Sequence, residues 1–267
     1  MSDINLQKKL NKLTDVIQNY SSVAVAFSGG VDSTFLLRHA HDILGRKAVA
    51  VTAVAPNFSP DEIKDAINFC TDEGIMHLLV NMEESFLDSF AHNPVNRCYI
   101  CKKRIFQTLL AHPGLEGMVL VDGTNSDDAS DFRPGEKALV ELGVYSPLRE
   151  AGLSKEEIRA ALKELGVPIW NKPAFACLAT RIPYGEKITV KKLESIYLLE
   201  TLLHKNGFEQ VRVRHHGDIA RIEVLPEDRE KFFNTDFMDQ INNAAKETGF
   251  TYAALDLGGY VMGNLNK

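Results

Sequence analysis

Two groups of residues in this chain have the types and spacing to do chemistry. The first is Ser28-Gly29-Gly30-Val31-Asp32-Ser33, set between an apolar run, Val23–Phe27, and a helical pattern, Thr34–Leu44. Adjacent glycines let backbone approach an anion with no Cβ in the way, and their amides can point inward together. The hydroxyls of Ser28, Ser33 and Thr34 add donors, and the helix that follows presents unpaired N–H groups at a positive dipole end. The stretch reads as a cradle for a pyrophosphate. Asp32 makes sense beside an anion if Mg²⁺ bridges its carboxylate to the phosphates. The loop has neither the Gly-Lys-Ser/Thr ending of the common kinase loop nor a Gly-x-Gly-x-x-Gly pattern. The competing reading is a plain strand-to-helix turn with an acidic first helical turn.

The second group is Arg97-Cys98-Tyr99-Ile100-Cys101 and the distant Ala176-Cys177-Leu178. Cys98 and Cys101 fall at the head of a helical pattern, whose positive end favours thiolates, and thiolates bind soft metals. Zinc sites are usually completed by another cysteine pair or by regularly spaced histidines. Here only Cys177 is a further plausible thiol, and His92 and His112 lack zinc-finger spacing. Three cysteines could instead hold three irons of a [4Fe–4S] cluster and leave one iron open. From the cysteines alone, cluster, zinc and plain thiols all stand. Cys70, on a helix face in Ile67-Asn68-Phe69-Cys70, reads as a small buried hydrophobe.

The elements that must position these groups follow from the apolar pattern. Strands are predicted at Val23–Phe27, Lys47–Val54, Met76–Val80 and Met118–Val121, with helices at Asp32–Leu44, Pro60–Glu73, Tyr99–Leu110 and Ser154–Leu165. Ser154-Lys155-Glu156-Glu157 opens the last of these as a capping box. Met1–Tyr20 reads as an amphipathic helix with Leu6, Leu10, Leu13 and Ile17 on one side, and has no signal-peptide core. Continuous apolar strands with helical crossovers imply an α/β fold, a doubly wound parallel sheet covered on both faces. Ligands bind such sheets at the carboxyl ends of the strands. Ser28–Ser33, Thr52-Ala53 and Asp122–Asn125, with Gly123 and Thr124, all lie at such ends and should converge on one nucleotide.

From about Pro183 the rhythm changes to helix, strand, tight connection, strand, two helical segments and a last strand at Tyr252–Leu257. This is a smaller C-terminal α+β domain, so the expected division is residues 1–182 and 183–267. It carries Arg212, Arg214, His215, His216 and Arg221, whose alternating members share a strand face. They form either a solvated sheet surface or a grip for a phosphate or carboxylate. At 267 residues the chain can hold a main core with a smaller companion. Its formal charge of −6 argues against broad nucleic-acid or membrane binding. No apolar run approaches the ~20 residues needed to span a bilayer. Four cysteines without a secretion signal fit thiols or metal ligands in a cytoplasmic protein better than a disulfide frame.

The Ser28–Ser33 turn resembles the PP-loop of the N-type ATP pyrophosphatases, which cleave ATP between the α and β phosphates. The resemblance narrows with Asp122-Gly123-Thr124-Asn125-Ser126-Asp127-Asp128, Asp131-Phe132-Arg133-Pro134-Gly135, Tyr145-Ser146-Pro147-Leu148 and Trp170-Asn171-Lys172-Pro173. It continues through Cys177-Leu178-Ala179-Thr180-Arg181-Ile182-Pro183-Tyr184-Gly185 and Leu255-Asp256-Leu257-Gly258-Gly259-Tyr260, and so spans nearly the whole chain. In this order the motifs are similar to those of the LarE-type sulfur transferases, which thiolate a nickel-pincer nucleotide precursor.

That resemblance implies a mechanism and a set of roles. Members with one cysteine at the position of Cys177 surrender its sulfur. Members that add a Cys-x-x-Cys resemble enzymes with a [4Fe–4S] cluster, so Cys98, Cys101 and Cys177 are implied metal ligands. ATP is expected on Ser28, Gly29, Gly30, Ser33 and Thr34, with its base near Thr52 and Ala53 and Mg²⁺ at Asp32. The implied acceptor is a pyridinium biscarboxylic acid mononucleotide. Arg133, Arg181, Arg212 and Arg214 are candidates for its phosphate or carboxylates, with His216 and Asp218 weaker ones. Val261 follows Gly259-Tyr260 where the family often has arginine, which removes one basic position from that set. A sulfur donor, sulfide or a cysteine desulfurase-type source, and a homo-oligomer are further implications. The rival readings are a tRNA thiolase, an amidating synthetase, or a nucleotide-binding sensor with structural zinc.

Overall fold

The computed structural model describes residues 2–130, 134–173 and 176–261. The chain divides into two compact units, Met1–Phe86 with Asn96–Phe175, and Leu87–Val95 with Ala176–Lys267. The first unit runs α1 (Ser2–Gln18), β1 (Val23–Ala26), α2 (Val31–Leu44), β2 (Ala48–Val54), α3 (Pro60–Asp72) and β3 (His77–Asn81). It continues with α4 (Arg97–Leu110), β4 (Val119–Val121), α5 (Pro134–Glu141), α6 (Pro147–Ala151) and α7 (Lys155–Glu164). The strands form one parallel sheet in the order β3-β2-β1-β4. Central β1 is fully apolar because it is covered on both faces, with Val25 opposite Ala50 on one side and Val121 on the other.

The chain order reverses between β1 and β4, since β2 and β3 are laid down on one side and β4 on the other. The crevice at the carboxyl ends of β1 and β4 is therefore the place where such a sheet receives a ligand. Leu13 and Ile17 of α1 are fully buried in the core, with Leu6 and Leu10 packed against it, as the amphipathic pattern requires. The capping box forms as predicted, Glu157 N–H donating to Ser154 Oγ and Ser154 N–H to Glu157 Oε2. Cys70 is buried on α3, and burial pushes its thiol up to about 12, which suits a packing role.

The second unit contains α8 (Val190–Lys205), β5 (Val211–His216), β6 (Ile219–Val224), α9 (Thr235–Glu247) and β7 (Tyr252–Leu255). β5 and β6 form a hairpin in which His216 pairs with Ile219, so its loop is Gly217-Asp218, with Gly217 at φ +56° as a tight turn demands. β7 adds parallel to β6 through the α9 crossover. Phe208, Phe232 and Phe237 pack against one another in the same unit. Leu87–Val95 contributes Asn93, which is fully buried at φ +52° and donates its amide to the carbonyls of Ile182 and Pro183. Among the described residues no helix is long and apolar enough to cross a membrane.

Burial holds the pKa of His39 below the ordinary imidazole value, with Asp42 opposing, and lowers that of His77. Both groups therefore contribute stability that is present above the unfolded value of about 6.5 and is lost as pH falls through it. The unfolding midpoint should drop by on the order of a few degrees between about pH 7.5 and 5.5. His39→Gln should flatten that dependence, and a midpoint flat in the native chain would show that these imidazoles charge freely in the fold.

Candidate active site

The turn after β1 is shaped by its own side chains. Thr52 Oγ1, from β2, donates to Phe27 O at 2.6 Å and fixes the exit of the strand. Because that hydroxyl hydrogen is committed, His77 Nε2 at 2.7 Å must be the donor to Thr52 Oγ1. Within the loop, Ser33 Oγ donates to Gly30 O at 3.1 Å and accepts from Ser28 N–H at 3.3 Å, while Gly30 N–H donates to Ser28 Oγ at 3.3 Å. Gly29 adopts φ +69°, and a Cβ there would lie 3.2 Å from Glu62 O and 3.3 Å from Ala66 Cβ, so α3 is packed directly on the turn. Gly30 caps α2 with no side-chain hydrogen bond, leaving the amides of its first turn open to an anion. Thr34 Oγ1 is buried with no hydrogen-bond partner among the described residues.

Across the crevice, β4 delivers Asp122-Gly123-Thr124. Buried Asp122 accepts from Ser146 Oγ at 2.6 Å and from Thr124 Oγ1 at 2.5 Å, which orders this second loop. A Cβ on Gly123 would sit 2.9 Å from Ser33 N and 3.1 Å from Ser33 Cα, so the two strand-end loops touch backbone to backbone. The structure thus brings Ser28–Thr34, Thr52, Gly123 and Thr124 together at one end of the sheet.

Asp32 stands at the entrance of α2. Its Oδ2 accepts from Lys155 Nζ at 2.5 Å, while Oδ1 is buried with no hydrogen-bond partner among the described residues. Desolvation raises its pKa, the nearby Asp128 charge adds to this, and Lys155 opposes both. A carboxylate oxygen left bare and costly to ionise suits a hard cation such as Mg²⁺, which takes oxygen ligands. Lys155 is placed by α7, whose first amide, its own, donates to Asp127 Oδ2 at 2.8 Å. Sequence reasoning did not single out Lys155, because its partner lies 123 residues away.

In the same unit, Cys98 and Cys101 occupy the first turns of α4, spaced i,i+3 on one face, Cys98 exposed and Cys101 half-buried. Asn57, fully buried in the β2–α3 connection, directs Nδ2 at Cys101 Sγ across 3.9 Å. None of the four cysteines is in a disulfide. Among the described residues no group of three or more His, Cys, Asp or Glu side chains stands assembled as a metal site. The donor chemistry fits an iron–sulfur centre in kind, since such clusters take thiolates.

In the second unit, half-buried Cys177 starts a short helical turn, Leu178–Arg181, and its carbonyl accepts from Thr180 N–H at 2.9 Å and Arg181 Nη1 at 3.1 Å. Arg181 is 2 % exposed and grips Glu200 in a two-pronged pair at 2.9 and 3.0 Å. Arg214 pairs with fully buried Glu223 at 2.7 Å and donates to Thr180 O at 3.1 Å. Glu223 also accepts from Arg221, which binds Asp256. The basic strand face is thus a buried arginine–carboxylate lattice rather than a solvated surface. Arg212 is its exception. It is 3 % exposed, donates to Val211 O, lies 5.4 Å from the Tyr260 ring centroid, and forms no salt bridge among the described residues. Burial depresses its pKa, and the Arg181 charge depresses it further. Glu200 and Glu223 were not anticipated from sequence, and Arg133 lies outside the described residues.

These features define a nucleotide-binding unit of the PP-loop ATP pyrophosphatase class, and the NAD synthase family matches residues 5–121. Over 263 residues the chain is 41% identical to the uncharacterized protein slr1717 of Synechocystis, covering 98% of each. It is 37% identical to the pyridinium-3,5-bisthiocarboxylic acid mononucleotide synthase of Lactiplantibacillus plantarum, over 98% of this chain and 95% of that one. The uncharacterized protein MJ0830 of Methanocaldococcus jannaschii is 29% identical over 94% of this chain and 95% of its own length. The chain belongs to the LarE family of PP-loop enzymes.

Gly123→Ala tests the crevice. The new methyl meets backbone on Ser33 that cannot swing aside, so the substitution should cost on the order of 1–3 kcal/mol of stability. It should also weaken ATP binding by roughly tenfold or more. Calorimetric titration with ATP beside thermal unfolding measures both, and unchanged affinity would mean that the nucleotide does not use this loop.

Proposed function

We propose that this chain is an ATP-dependent sulfur transferase that activates the carboxylates of pyridinium-3,5-biscarboxylic acid mononucleotide as acyl adenylates and replaces AMP by sulfur. The observation that carries the reading is the open cradle at the β1–β4 switch point, with helix-start amides that no side chain caps and a Thr34 hydroxyl and an Asp32 oxygen that have no hydrogen-bond partner among the described residues. Relatedness to the Lactiplantibacillus plantarum synthase along almost the full length supplies the substrate class.

Ser28, Gly29, Gly30, Ser33 and Thr34 hold the ATP phosphates, and Gly123 and Thr124 close the crevice, with the base near Thr52 and Ala53. Fixed amides aimed at phosphate oxygens need no reorganisation as negative charge builds on the departing pyrophosphate. A free carboxylate resists nucleophiles, whereas an acyl adenylate carries AMP as a good leaving group. Mg²⁺ held at Asp32 would neutralise phosphate charge. A [4Fe–4S] cluster held by Cys98, Cys101 and Cys177 would supply the sulfur that displaces AMP. Arg212 offers a desolvated cation to the acceptor's phosphate. Arg214, Arg181 and Arg133 complete the proposed acceptor set, and the second unit serves substrate binding and homo-oligomer formation. A sulfur donor, sulfide or a desulfurase-type source, restores the sulfur between turnovers in the cytoplasm.

The experiment is anaerobic reconstitution with iron and sulfide analysis, followed by assay of pyrophosphate release and thiolated nucleotide. Native protein should bind about four irons and form product over many turnovers. Cys101→Ser should lose the cluster and thiolation yet still release pyrophosphate, whereas Asp32→Asn should lower pyrophosphate release by roughly 100-fold or more with iron retained. About one zinc per chain, no iron and full activity would overturn the cluster assignment. Absence of acceptor-dependent pyrophosphate release would overturn the reaction.

A further inference from the structure

Lys172 belongs to a short strap that the proposed reaction does not yet employ. The strap is a 3₁₀ turn, Pro168–Asn171, followed by Lys172, and five residues further along the chain lies Cys177. One end is tied to α7: Arg159 donates through both Nη atoms, to Trp170 O and, at 2.8 Å, to Lys172 O. At the other end Lys172 Nζ reaches the phosphate loop, donating to Gly29 O at 3.2 Å and to Asp65 Oδ2 at 2.8 Å. The Lys172 side chain is 16% exposed and that of Asp65 54%, so the carboxylate pair is screened by solvent and the carbonyl contact is the shielded one.

That contact has a defined consequence for the loop. In a trans peptide the C=O and the following N–H point in opposite directions. Holding Gly29 O toward Lys172 therefore holds Gly30 N–H toward the Ser28 side, where it lies 3.3 Å from Ser28 Oγ. Gly29 is the residue in the loop with positive φ, and glycine's lack of a Cβ would otherwise let this peptide plane turn. We propose that Lys172 is a positioning residue that fixes the Gly29–Gly30 peptide and thereby makes ATP occupancy of the loop and the order of the 168–173 strap interdependent. The inference rests on the reading that the loop holds ATP. Linkage is reciprocal, so nucleotide that favours the fixed peptide also favours the docked strap, by the same factor. The 168–173 strap is thereby tightened when ATP is bound.

Hydrogen–deuterium exchange with a Mg²⁺–ATP analogue carrying a methylene between the α and β phosphates tests this, with affinity measured by calorimetry. In the native chain the analogue should slow exchange in both 28–33 and 168–173. In Lys172→Met it should still slow the loop, bind about tenfold more weakly, and leave the strap's exchange unchanged, while Asp65→Asn should keep the native pattern. Should Lys172→Met fail to fold by thermal unfolding, Arg159→Gln carries the test: its hydrogen bonds go to the strap and not to the phosphate loop, yet the substitution should weaken analogue binding about threefold. A strap indifferent to the analogue in the native chain, or coupling that persists in Lys172→Met, overturns the proposal. No binding to native protein at all overturns the ATP reading, and the coupling with it.

Discussion

Everything at the catalytic end of the first unit depends on one close approach, that of the β4 loop to the first turn of α2. Gly123 lies against Ser33 so tightly that a single methyl would sit 2.9 Å from the Ser33 main-chain nitrogen. This is a consequence of topology. β1 and β4 are neighbours in the sheet but their loops come from opposite windings, so a crevice opens between them and only a residue without a side chain lets both walls stay close. Polar groups then need no support from solvent. The loop's serines satisfy one another, Asp122 organises the far wall, and the groups left over, the α2 amides, Thr34 Oγ1 and Asp32 Oδ1, are those an anion and its cation would engage.

Asp32 shows how the fold tolerates such an arrangement without ligand. A carboxylate at this depth is expensive to ionise, and Lys155 offsets part of that cost by approaching one of its two oxygens. The other oxygen accepts no close hydrogen bond among the described residues, the Asn125 side chain adding only a minor stabilising contact to the carboxylate. An ion pair that satisfied both would compete with an incoming cation at every atom, whereas this one leaves a coordination position whose occupation also relieves the desolvation. Lys155 is itself set by an acid, Asp127, through the backbone, so the charge sequence near the loop is fixed by α7 and not by a mobile side chain alone.

How much of this was legible in the sequence depended on whether the cause was local. The parallel strands, the Ser28–Ser33 turn, the apolar side of α1 and the Ser154–Glu157 cap are written in periodicities and turn residues that act within a few positions. The strand-end position of Thr52 and Gly123 followed from the same pattern. What was not legible is pairing over long separations: Lys155 with Asp32, Lys172 with Gly29, and Arg181 with Glu200. α5 and α6 were missed because eight and five residues carry too little periodicity to be read. Glu200 did leave a trace. It shares the buried face of α8 with Ile196, Leu199 and Leu203, and an acid on such a face requires a cation.

That requirement explains the character of the second unit. The acidic chain buries Arg181, Arg212 and Arg214 close enough for Arg212 to feel the charges of the other two, which self-repulsion alone would forbid. Glu200 neutralises Arg181 and ties its carboxylate to Val213 N–H at 2.8 Å, and Glu223 is shared between Arg214 and Arg221. Each arginine of this lattice but Arg212 is thereby matched to a carboxylate, Arg221 reaching a second acid in Asp256. Arg212 faces the like charges of Arg181 and Arg214, and its close partners among the described residues are the Val211 carbonyl, the Gln210 side-chain amide oxygen at 3.3 Å and the Tyr260 ring, with no carboxylate among them and the Glu200 charge felt only at a distance. A buried guanidinium in that position lowers its energy most by accepting a multiply charged oxyanion, and the neighbouring pairs, already satisfied, keep its fork from collapsing onto a protein carboxylate. Arg181, Arg214 and Arg221 are thus each held by an acid, and Arg212 is the arginine of this lattice with no salt bridge among the described residues.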